Sequence, residues 1–209
     1  MAESSNPPYE LIYWPGLPGR GEFIRLLFEE AGVPFTDTAQ ALKPDVAVDT
    51  VLGVISGKPA DHDNPPPMAP PILRHGSLLI SQMPNILQYL ALRLGLAAEG
   101  PSAIFHLNEI VLTLNDGFVN EVHDTHHPVA VSLYYENQIP EAKKRTKCFL
   151  ADRLPKFLGY AQRVIDAKTS GDGPWMYGGR LTYADLFLFQ VRSNNQCPIS
   201  FPPLSRAHN

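Results

Sequence analysis

Among the first forty residues, Tyr13 has the side chain whose position best suits a chemical role. It lies in a short apolar and aromatic run, Leu11 to Trp14, and loop residues rich in proline and glycine follow at 15–19. A phenol at the point where a strand passes into a loop can contact a bound molecule, because function concentrates at such edges. The competing interpretation is an aromatic side chain packed in the core, since aromatic residues are common in strands.

Two histidines, His123 and His127, lie one helical turn apart and suggest a metal site, because both rings could bind the same ion. We discount this site. No carboxylate or cysteine elsewhere in the sequence convincingly completes the coordination, and Pro128 ends the predicted helix at this point. Histidines near a helix C-terminus also complement the negative end of the helix dipole. The sequence therefore predicts no metal here.

A strand, a loop and a helix position Tyr13. We place the end of the strand at Trp14 and the end of the helix at Gly32, which precedes Pro34 in the manner of a helix stop. Residues 33–39 predict a second, parallel strand, so that the three elements form a right-handed β-α-β unit. The apolar positions that recur at helical spacing are Phe23, Leu26, Leu27 and Ala31.

A second informative stretch predicts a hairpin followed by a helix. Two short strands meet at the turn 75–77, and the helix after them ends near Gly95. Residues 40–68, which connect the two stretches, hold a short helical pattern but so many glycines and prolines that we expect mainly an irregular connection. The apolar face of the helix consists of Ile86, Leu87, Leu90 and Leu94.

The second half of the chain is helical in pattern. Apolar residues recur at steps of three and four within 104–122 and again within 140–166, which predicts two long amphipathic helices. Thr182 and Asp185 form a capping box that opens a further buried helix and serves folding. After Gln190 the helical period is lost and prolines accumulate, so we expect an atypical or truncated tail, from an altered reading frame or splice form.

Composition describes an ordinary globular chain. The 209 residues are 44% hydrophobic and carry a formal net charge of -4, so nothing basic points to nucleic acid. Cys148 and Cys197 lie far apart, and the N-terminus carries no recognisable signal peptide or targeting segment, which favours a reducing, cytoplasmic location. No apolar run in the sequence approaches the roughly 20 residues of a membrane span.

Two motifs resemble those of the cytosolic glutathione transferases that use an active-site tyrosine. The first is Tyr-Trp-Pro at 13–15 followed by Gly-Arg-Gly-Glu at 19–22 and an apolar helix; the second is Pro-Ile-Leu at 71–73, then Gly76, then Ser-Gln at 81–82. The run His-Asp-Thr-His-His-Pro at 123–128 is similar to one in a microbial, fungal-like subset that uses no metal. The resemblance covers about residues 9–190.

The resemblance implies a two-domain fold. A thioredoxin-like α/β domain would occupy residues 8–94 and an all-α domain of the glutathione transferase type residues 102–191, joined by a linker at 95–101 and followed by the atypical, irregular tail at 192–209. The resemblance also implies a two-fold homodimer, glutathione as co-substrate and no metal.

The catalytic hydroxyl of the family falls on Tyr13, where it would stabilise the glutathione thiolate. An ordinary thiol with a pKa of about 8.5 is only about 3% ionised at neutral pH, and lowering that pKa by about two units requires about 2.7 kcal/mol. One charge-assisted hydrogen bond from the phenol, helped by the positive end of the following helix, is of that order. Arg20 would add positive potential near the sulfur, although it could equally be solvated or pair with a carboxylate.

Further residues would hold the glutathione. A cis bond before Pro71 would present the preceding carbonyl to the cysteinyl backbone, Gln82 and the helix start would bind the γ-glutamyl end, and Asp116 would reach its amine across the dimer. From the residues alone, Pro71 could instead begin an edge strand, while Gln82 and Asp116 could be polar helix residues without a ligand. The implied binding set is Trp14, Arg20, Pro70, Pro71, Gln82, Met83 and Asp116.

Two residues depart from the family pattern. A serine or threonine usually follows the glutamine, and Met83 in its place lacks the hydroxyl, which should weaken glutathione binding by about 1 to 2 kcal/mol. Pro70 has no N–H, so only its carbonyl can pair with the ligand. Lys43 and Lys58 are candidates for binding the glycyl carboxylate.

The resemblance implies that the protein conjugates the glutathione thiolate to an apolar electrophile, in detoxification or in the tailoring of a secondary metabolite. The helical domain would hold the electrophile, and Tyr134 and Tyr135 could line its pocket or simply pack. Two alternatives stay open on the sequence. One is a non-catalytic binding or assembly module, which Met83, Pro70 and the tail favour; the other is a glutathione-dependent isomerase.

Overall fold

The computed structural model describes residues 7–57 and 63–193 of the chain. The chain divides into two compact units, and the division falls between Leu96 and Ala97, inside the linker that we place at 95–101. Lys58 and residues 194–209 lie outside the described residues, and so do the expectations for a glycyl ligand at 58 and for nearly all of the tail.

In the described part of the first unit, a mixed sheet of four strands is combined with helices. Strand β1 pairs parallel to β2 and antiparallel to β3, and β3 and β4 form the predicted hairpin, which gives the strand order β2-β1-β3-β4. The elements are β1 (Tyr9–Ile12), α1 (Gly21–Ala31), β2 (Phe35–Asp37), α2 (Thr38–Ala41), α3 (Pro44–Ile55), β3 (Ile72–His75), β4 (Leu78–Ser81) and α4 (Met83–Leu94).

The first two strands are shorter than predicted. Strand β1 stops at Ile12, before the predicted end at Trp14, since the N–H of Tyr13 leaves the strand ladder and donates to Oγ1 of Thr38 at 3.4 Å. Strand β2 ends at Asp37, because its carboxylate accepts an N–H of α2 at 3.0 Å and so begins that helix. Side-chain hydrogen bonds therefore set both strand ends.

Helix α3 is the element that the sequence pattern underestimates. We predict a mainly irregular connection at 40–68, yet Pro44–Ile55 is one helix with its proline in the first turn, where a missing N–H is tolerated. Ala47 and Val51 on its inner face are fully buried. Packing of this face stabilises the helix despite the low helix propensity of Gly53.

Side chains from strands and helices together form the core of the first unit. Ile12, Val51 and Ile72 make one cluster, and Trp14 packs against it as a half-buried side chain. Further fully buried side chains are Leu11, Ile24, Leu27, Phe28, Leu73, Ile86 and Leu90.

His75, at the end of β3, is a buried titratable group in this unit. Its ring stacks on Tyr9 with 4.0 Å between centroids, and its Nδ1 lies 2.8 Å from the hydroxyl of Tyr89. Burial lowers the pKa of His75 below the ordinary 6.5; the positive charge of Arg93 adds to this, and the carbonyl of Pro7 opposes it. The neutral ring is therefore the form that the fold accommodates.

We expect His75 to make the protein sensitive to acid. Below pH 6.5 the unfolded chain protonates this histidine while the folded protein does not, so stability is lost as the pH falls toward the lowered folded pKa. Urea unfolding between pH 5 and 7.5 should show a smaller pH slope for His75→Phe than for the unchanged protein. His106→Gln, at an exposed histidine, is the control. Equal slopes in all three proteins would contradict the assignment.

The second unit is helical throughout its described elements, and both predicted long helices are present. A π-helical segment, Asn115–Asn120, joins α5 to α6, and a second one, Phe149–Arg153, joins α7 to α8. Helix α9 runs to Ser193, three residues past the predicted loss of helical period at Gln190. The helices are α5 (Ala103–Leu114), α6 (Glu121–His126), α7 (Ile139–Cys148), α8 (Leu154–Asp166) and α9 (Tyr183–Ser193).

Contacts between distant residues hold the two π-helical segments. A Cβ atom at Gly117 would overlap the ring of Phe157, so glycine lets the two helices approach closely. Arg153 donates to both carboxylate oxygens of Glu121, at 2.6 to 3.0 Å. These pairings join residues over thirty positions apart, which explains why helical periodicity alone did not reveal the segments.

At the start of α9 the Asp185 half of the predicted capping box is present, while the N–H of Asp185 donates to the carbonyl of Thr182 at 3.1 Å. The N–H and the hydroxyl of Thr182 both donate to the Asp185 carboxylate at 2.8 Å, and the N–H of Met176 donates to it at 2.7 Å. Asp185 therefore joins the helix to the loop that precedes it.

Within residues 7–57 and 63–193, none of the helices combines the length and apolar character that a membrane span requires.

Candidate functional site

The hydroxyl of Tyr13 lies at the start of α1. Its oxygen accepts the N–H of Arg20 at 2.9 Å, and Arg20 immediately precedes the helix. The side chain is only 7% exposed. The phenol is thus a packed aromatic ring whose polar end meets the positive end of a helix, so each of the two interpretations of Tyr13 describes part of its environment.

Two glycines make room for this phenol. Gly19 has a φ of +40°, and a Cβ atom there would collide with the Tyr13 hydroxyl. At Gly21 a Cβ atom would come within 2.8 Å of the ring carbon Cδ1. The Gly-Arg-Gly sequence therefore lets the Arg20 amide reach the phenol oxygen, a contact that the sequence motif does not reveal. The sequence analysis proposes a role for the side chain of Arg20, whereas its backbone N–H makes this contact.

A buried arginine, Arg25, lies behind the same loop. Its Nε donates to Asp37 at 2.6 Å, and its Nη1 donates to Glu22 at 2.9 Å and to the carbonyl of Pro18 at 3.2 Å. The guanidinium carbon is 5.7 Å from the centroid of the Tyr13 ring. Burial opposes the charge, but the two carboxylates outweigh it and raise the pKa of Arg25. The sequence analysis does not single out Arg25, because an arginine at this position of a helix is typical of a polar surface residue.

The Pro70–Pro71 peptide bond is cis, as the resemblance led us to expect. Pro71 is buried and lies directly before β3, while Pro70 is half-buried. Trp14 belongs to the same unit, where it packs against the cluster around Ile12. Lys43, the other glycyl candidate, is exposed and immediately precedes α3.

Gln82 has an unusual backbone. Its φ is +71°, it is exposed, and it occupies the position before the first turn of α4. A non-glycine residue in this region is strained by about 1 to 3 kcal/mol and is found preferentially at functional sites. The exposed amide side chain beside a helix N-terminus suits recognition of an anionic group.

Met83 is buried, which agrees with a side chain that makes no contact with a ligand; the expected loss of glutathione affinity stays a prediction. Its side chain is only 1% exposed and belongs to the core of the first unit, so it does not lie in the open beside Gln82. Its direction follows from the helix geometry, which turns the first residue of α4 inward while Gln82 faces outward. Pro84 also lacks an N–H, so Met83 and Asn85 supply the backbone donors of the first turn.

The remaining candidates belong to the second unit. Asp116 is exposed on the first π-helical segment, where its carboxylate accepts a hydrogen bond from Asn120 at 3.2 Å. The rings of His123 and His127 stack with 4.9 Å between centroids. Tyr134 and Tyr135 are exposed in the loop after them. Among the described residues, no three histidine, cysteine, aspartate or glutamate side chains are grouped so that they could hold a metal ion.

Comparison with known proteins agrees with this geometry. Residues 123–207 match the family model described as glutathione S-transferase, C-terminal domain. The chain is 27% identical to a glutathione S-transferase of Plasmodium falciparum over 206 residues, covering 95% of this chain and 88% of that protein. It is also 27% identical over 208 residues to glutathione S-transferase P 2 of Bufo bufo, covering 94% and 84%.

A solved structure extends the comparison to three dimensions. A glutathione S-transferase of the hookworm Necator americanus, described as monomeric, superposes with a TM-score of 0.62 at 22% identity, covering 89% of this chain and 80% of that one. At this identity the likeness shows the fold alone. The expected fold, a thioredoxin-like α/β domain followed by an all-α domain, is confirmed, and the sequence relatives support a glutathione transferase.

Proposed function

We propose that this chain, which its relatives support as a glutathione transferase, uses Tyr13 to conjugate the thiolate of glutathione to an apolar electrophile. One observation carries the catalytic assignment. The oxygen of Tyr13 accepts the N–H of Arg20, so its hydroxyl hydrogen is left to donate to a different acceptor. A thiolate is the acceptor that the relatives' substrate would supply.

The catalytic step is stabilisation of that thiolate. A hydrogen bond from Tyr13 favours the charged form of the sulfur, so a larger fraction of bound glutathione is ionised near neutral pH. The Arg20 N–H polarises the phenol, because a hydroxyl that accepts one hydrogen bond donates the next more strongly. Tyr13 donates its hydrogen bond to the sulfur without losing its own proton. The thiol proton passes to solvent, and the thiolate sulfur forms a bond to the electrophilic carbon. In a substitution the leaving group departs with its electron pair, and in an addition the product takes a proton from solvent.

Glutathione would be held along the same unit. Gln82 and the first-turn amides of α4 bind the γ-glutamyl carboxylate, the carbonyl of Pro70 before the cis bond pairs with the cysteinyl backbone, and Trp14 flanks the site. Met83 is buried, so at this position only the backbone N–H is available to the ligand. Asp116 would contribute from the partner of a homodimer, although the hookworm structure is described as monomeric. We place the reaction in the cytoplasm, in detoxification or secondary metabolism.

A non-catalytic binding module is the second candidate. Pro70 and Pro84 each remove an N–H near the proposed glutathione site, which weakens the set of donors available to the ligand. In this case the fold would persist without efficient conjugation.

Thermal unfolding with and without glutathione separates the two. Glutathione at about a hundred times its dissociation constant adds about 2.7 kcal/mol, which raises Tm by roughly 5 to 10 °C for a chain of this length. We expect that rise, together with conjugation of an aromatic halide followed by absorbance. S-methylglutathione, which cannot form a thiolate, serves as the control for binding without chemistry. A cooperative melt that glutathione does not shift, or a stabilised protein with no conjugation of any electrophile tested, would favour the binding module.

A further inference from the structure

Arg25 connects the loop in front of α1 to the strand behind it. The guanidinium donates to the Pro18 carbonyl at 3.2 Å and, on another nitrogen, to Asp37 at 2.6 Å. Pro18 lies two residues before Arg20, whose N–H meets the phenol oxygen of Tyr13. The same carbonyl also accepts the N–H of Glu22 at 3.0 Å, so Arg25 and the first turn of α1 together hold the loop that presents the Arg20 N–H.

We propose that Arg25 is a positioning residue for Tyr13, an inference that rests on the proposed function of that tyrosine. By holding the Pro18 carbonyl, Arg25 keeps the Arg20 N–H directed at the phenol oxygen. The phenolic hydrogen then stays directed away from the loop and toward the sulfur of glutathione.

The charges around Arg25 show that its effect is one of position. Asp37 and Glu22 both bind the guanidinium, so two negative groups accompany one positive group at this place. Arg25 consequently adds little net positive potential at the sulfur, despite lying 5.7 Å from the Tyr13 ring. Its contribution comes from the direction of its hydrogen bonds.

The shape of arginine is required for this role. The planar guanidinium presents separate N–H groups on Nε and Nη1, which reach Asp37 and the Pro18 carbonyl at the same time. A lysine has a single nitrogen on a flexible stem and cannot span both acceptors. Arg25→Lys should therefore keep the charge and lose the hold on the loop.

The first test follows the Arg20 amide by NMR in the free protein. In Tyr13→Phe this amide loses its acceptor, and its proton resonance moves upfield. We expect Arg25→Lys and Arg25→Gln to move it in the same direction by at least half as much. Arg74→Gln, which removes an exposed arginine paired with Glu10, should leave it in place. An Arg20 resonance unchanged in both folded Arg25 variants would overturn the proposal.

The second test is the pH profile of conjugation. If the thiolate pKa rises by about one unit in Arg25→Lys, kcat/KM falls about fivefold at pH 6.5 and approaches that of the unchanged enzyme above pH 9. A merely structural role would lower the rate equally at every pH, and that result would overturn the proposal. Where a single variant does not fold, Arg25→Gln with Asp37→Asn removes both buried charges and leaves neither unpaired.

These tests keep the two ideas separate. A wild-type protein that conjugates no electrophile contradicts the proposed function, while the Arg20 resonance still reports whether Arg25 holds the loop. Active enzyme with a normal Arg20 resonance in the Arg25 variants contradicts the positioning role and leaves the function standing.

Discussion

Tyr13→Phe lowers kcat/KM for glutathione conjugation by about fiftyfold at pH 6.5, which corresponds to about 2.3 kcal/mol of transition-state stabilisation. Phenylalanine keeps the ring between Gly19 and Gly21, so packing is preserved and the hydroxyl alone is lost. The thiol of bound glutathione then ionises with a pKa near its ordinary value of about 8.5. The loss should shrink above pH 9, where the thiolate forms without help.

Steady-state kinetics at pH 6.5 and 9 measure this effect, and the absorbance of the bound thiolate near 240 nm measures its cause. Tyr177→Phe is a matched control, since it removes a hydroxyl hydrogen-bonded to His106 at 2.9 Å in the second unit. Full conjugation activity in Tyr13→Phe at pH 6.5 would remove Tyr13 from the mechanism.

Asp185→Ala should lower the free energy of unfolding by about 3 to 5 kcal/mol, because buried groups lose their shared acceptor. The carboxylate accepts from the N–H and hydroxyl of Thr182 and from the N–H of Met176. Thr182 is fully buried and Met176 is 1% exposed, so water cannot replace these hydrogen bonds without opening the structure. Burial raises the pKa of Asp185, and the hydrogen bonds from Met176 and Thr182 oppose that rise.

Thermal and urea unfolding test this prediction, with Tm expected to fall by about 6 to 15 °C. Asp185→Asn keeps one acceptor oxygen and should lose less stability than Asp185→Ala. Thr182→Ala removes one donor of the set and should cost about 1 kcal/mol. Asp152→Ala, which breaks an exposed ion pair with Lys156, is the control and should change stability by less than about 0.5 kcal/mol. An Asp185→Ala protein as stable as Asp152→Ala would contradict the assignment.

Part of the candidate site follows from short-range pattern. Tyr13 ends a run of strand residues, Pro71 precedes a strand, and Gln82 opens a helix. Each of these placements depends on neighbours a few positions away, where apolar period and proline or glycine stops act directly. The cis bond before Pro71 is different, because it was expected from the family motif and not from local pattern. The roles of these residues toward glutathione remain predictions.

The burial of Met83 and the length of helix α3 show what pattern leaves undetermined. The motif identifies Met83 as the residue after Gln82 but does not give the direction of its side chain, which the structure places in the core. Helix α3 has a poor local pattern because of its glycine, yet burial of Ala47 and Val51 stabilises it. Propensity is a weak term beside packing.

Local pattern along the chain predicts the β-α-β unit with its hairpin, the long helices and the position of Tyr13 near a strand end. Packing between elements sets the pairing of Arg25 with Asp37, twelve residues away, and the contact of the Tyr13 N–H with Thr38, 25 residues away. It also decides that Gly19 and Gly21 leave room for a phenol. Periodicity records which face of an element is apolar, whereas these contacts depend on how separate elements pack, which spacing along the chain does not encode.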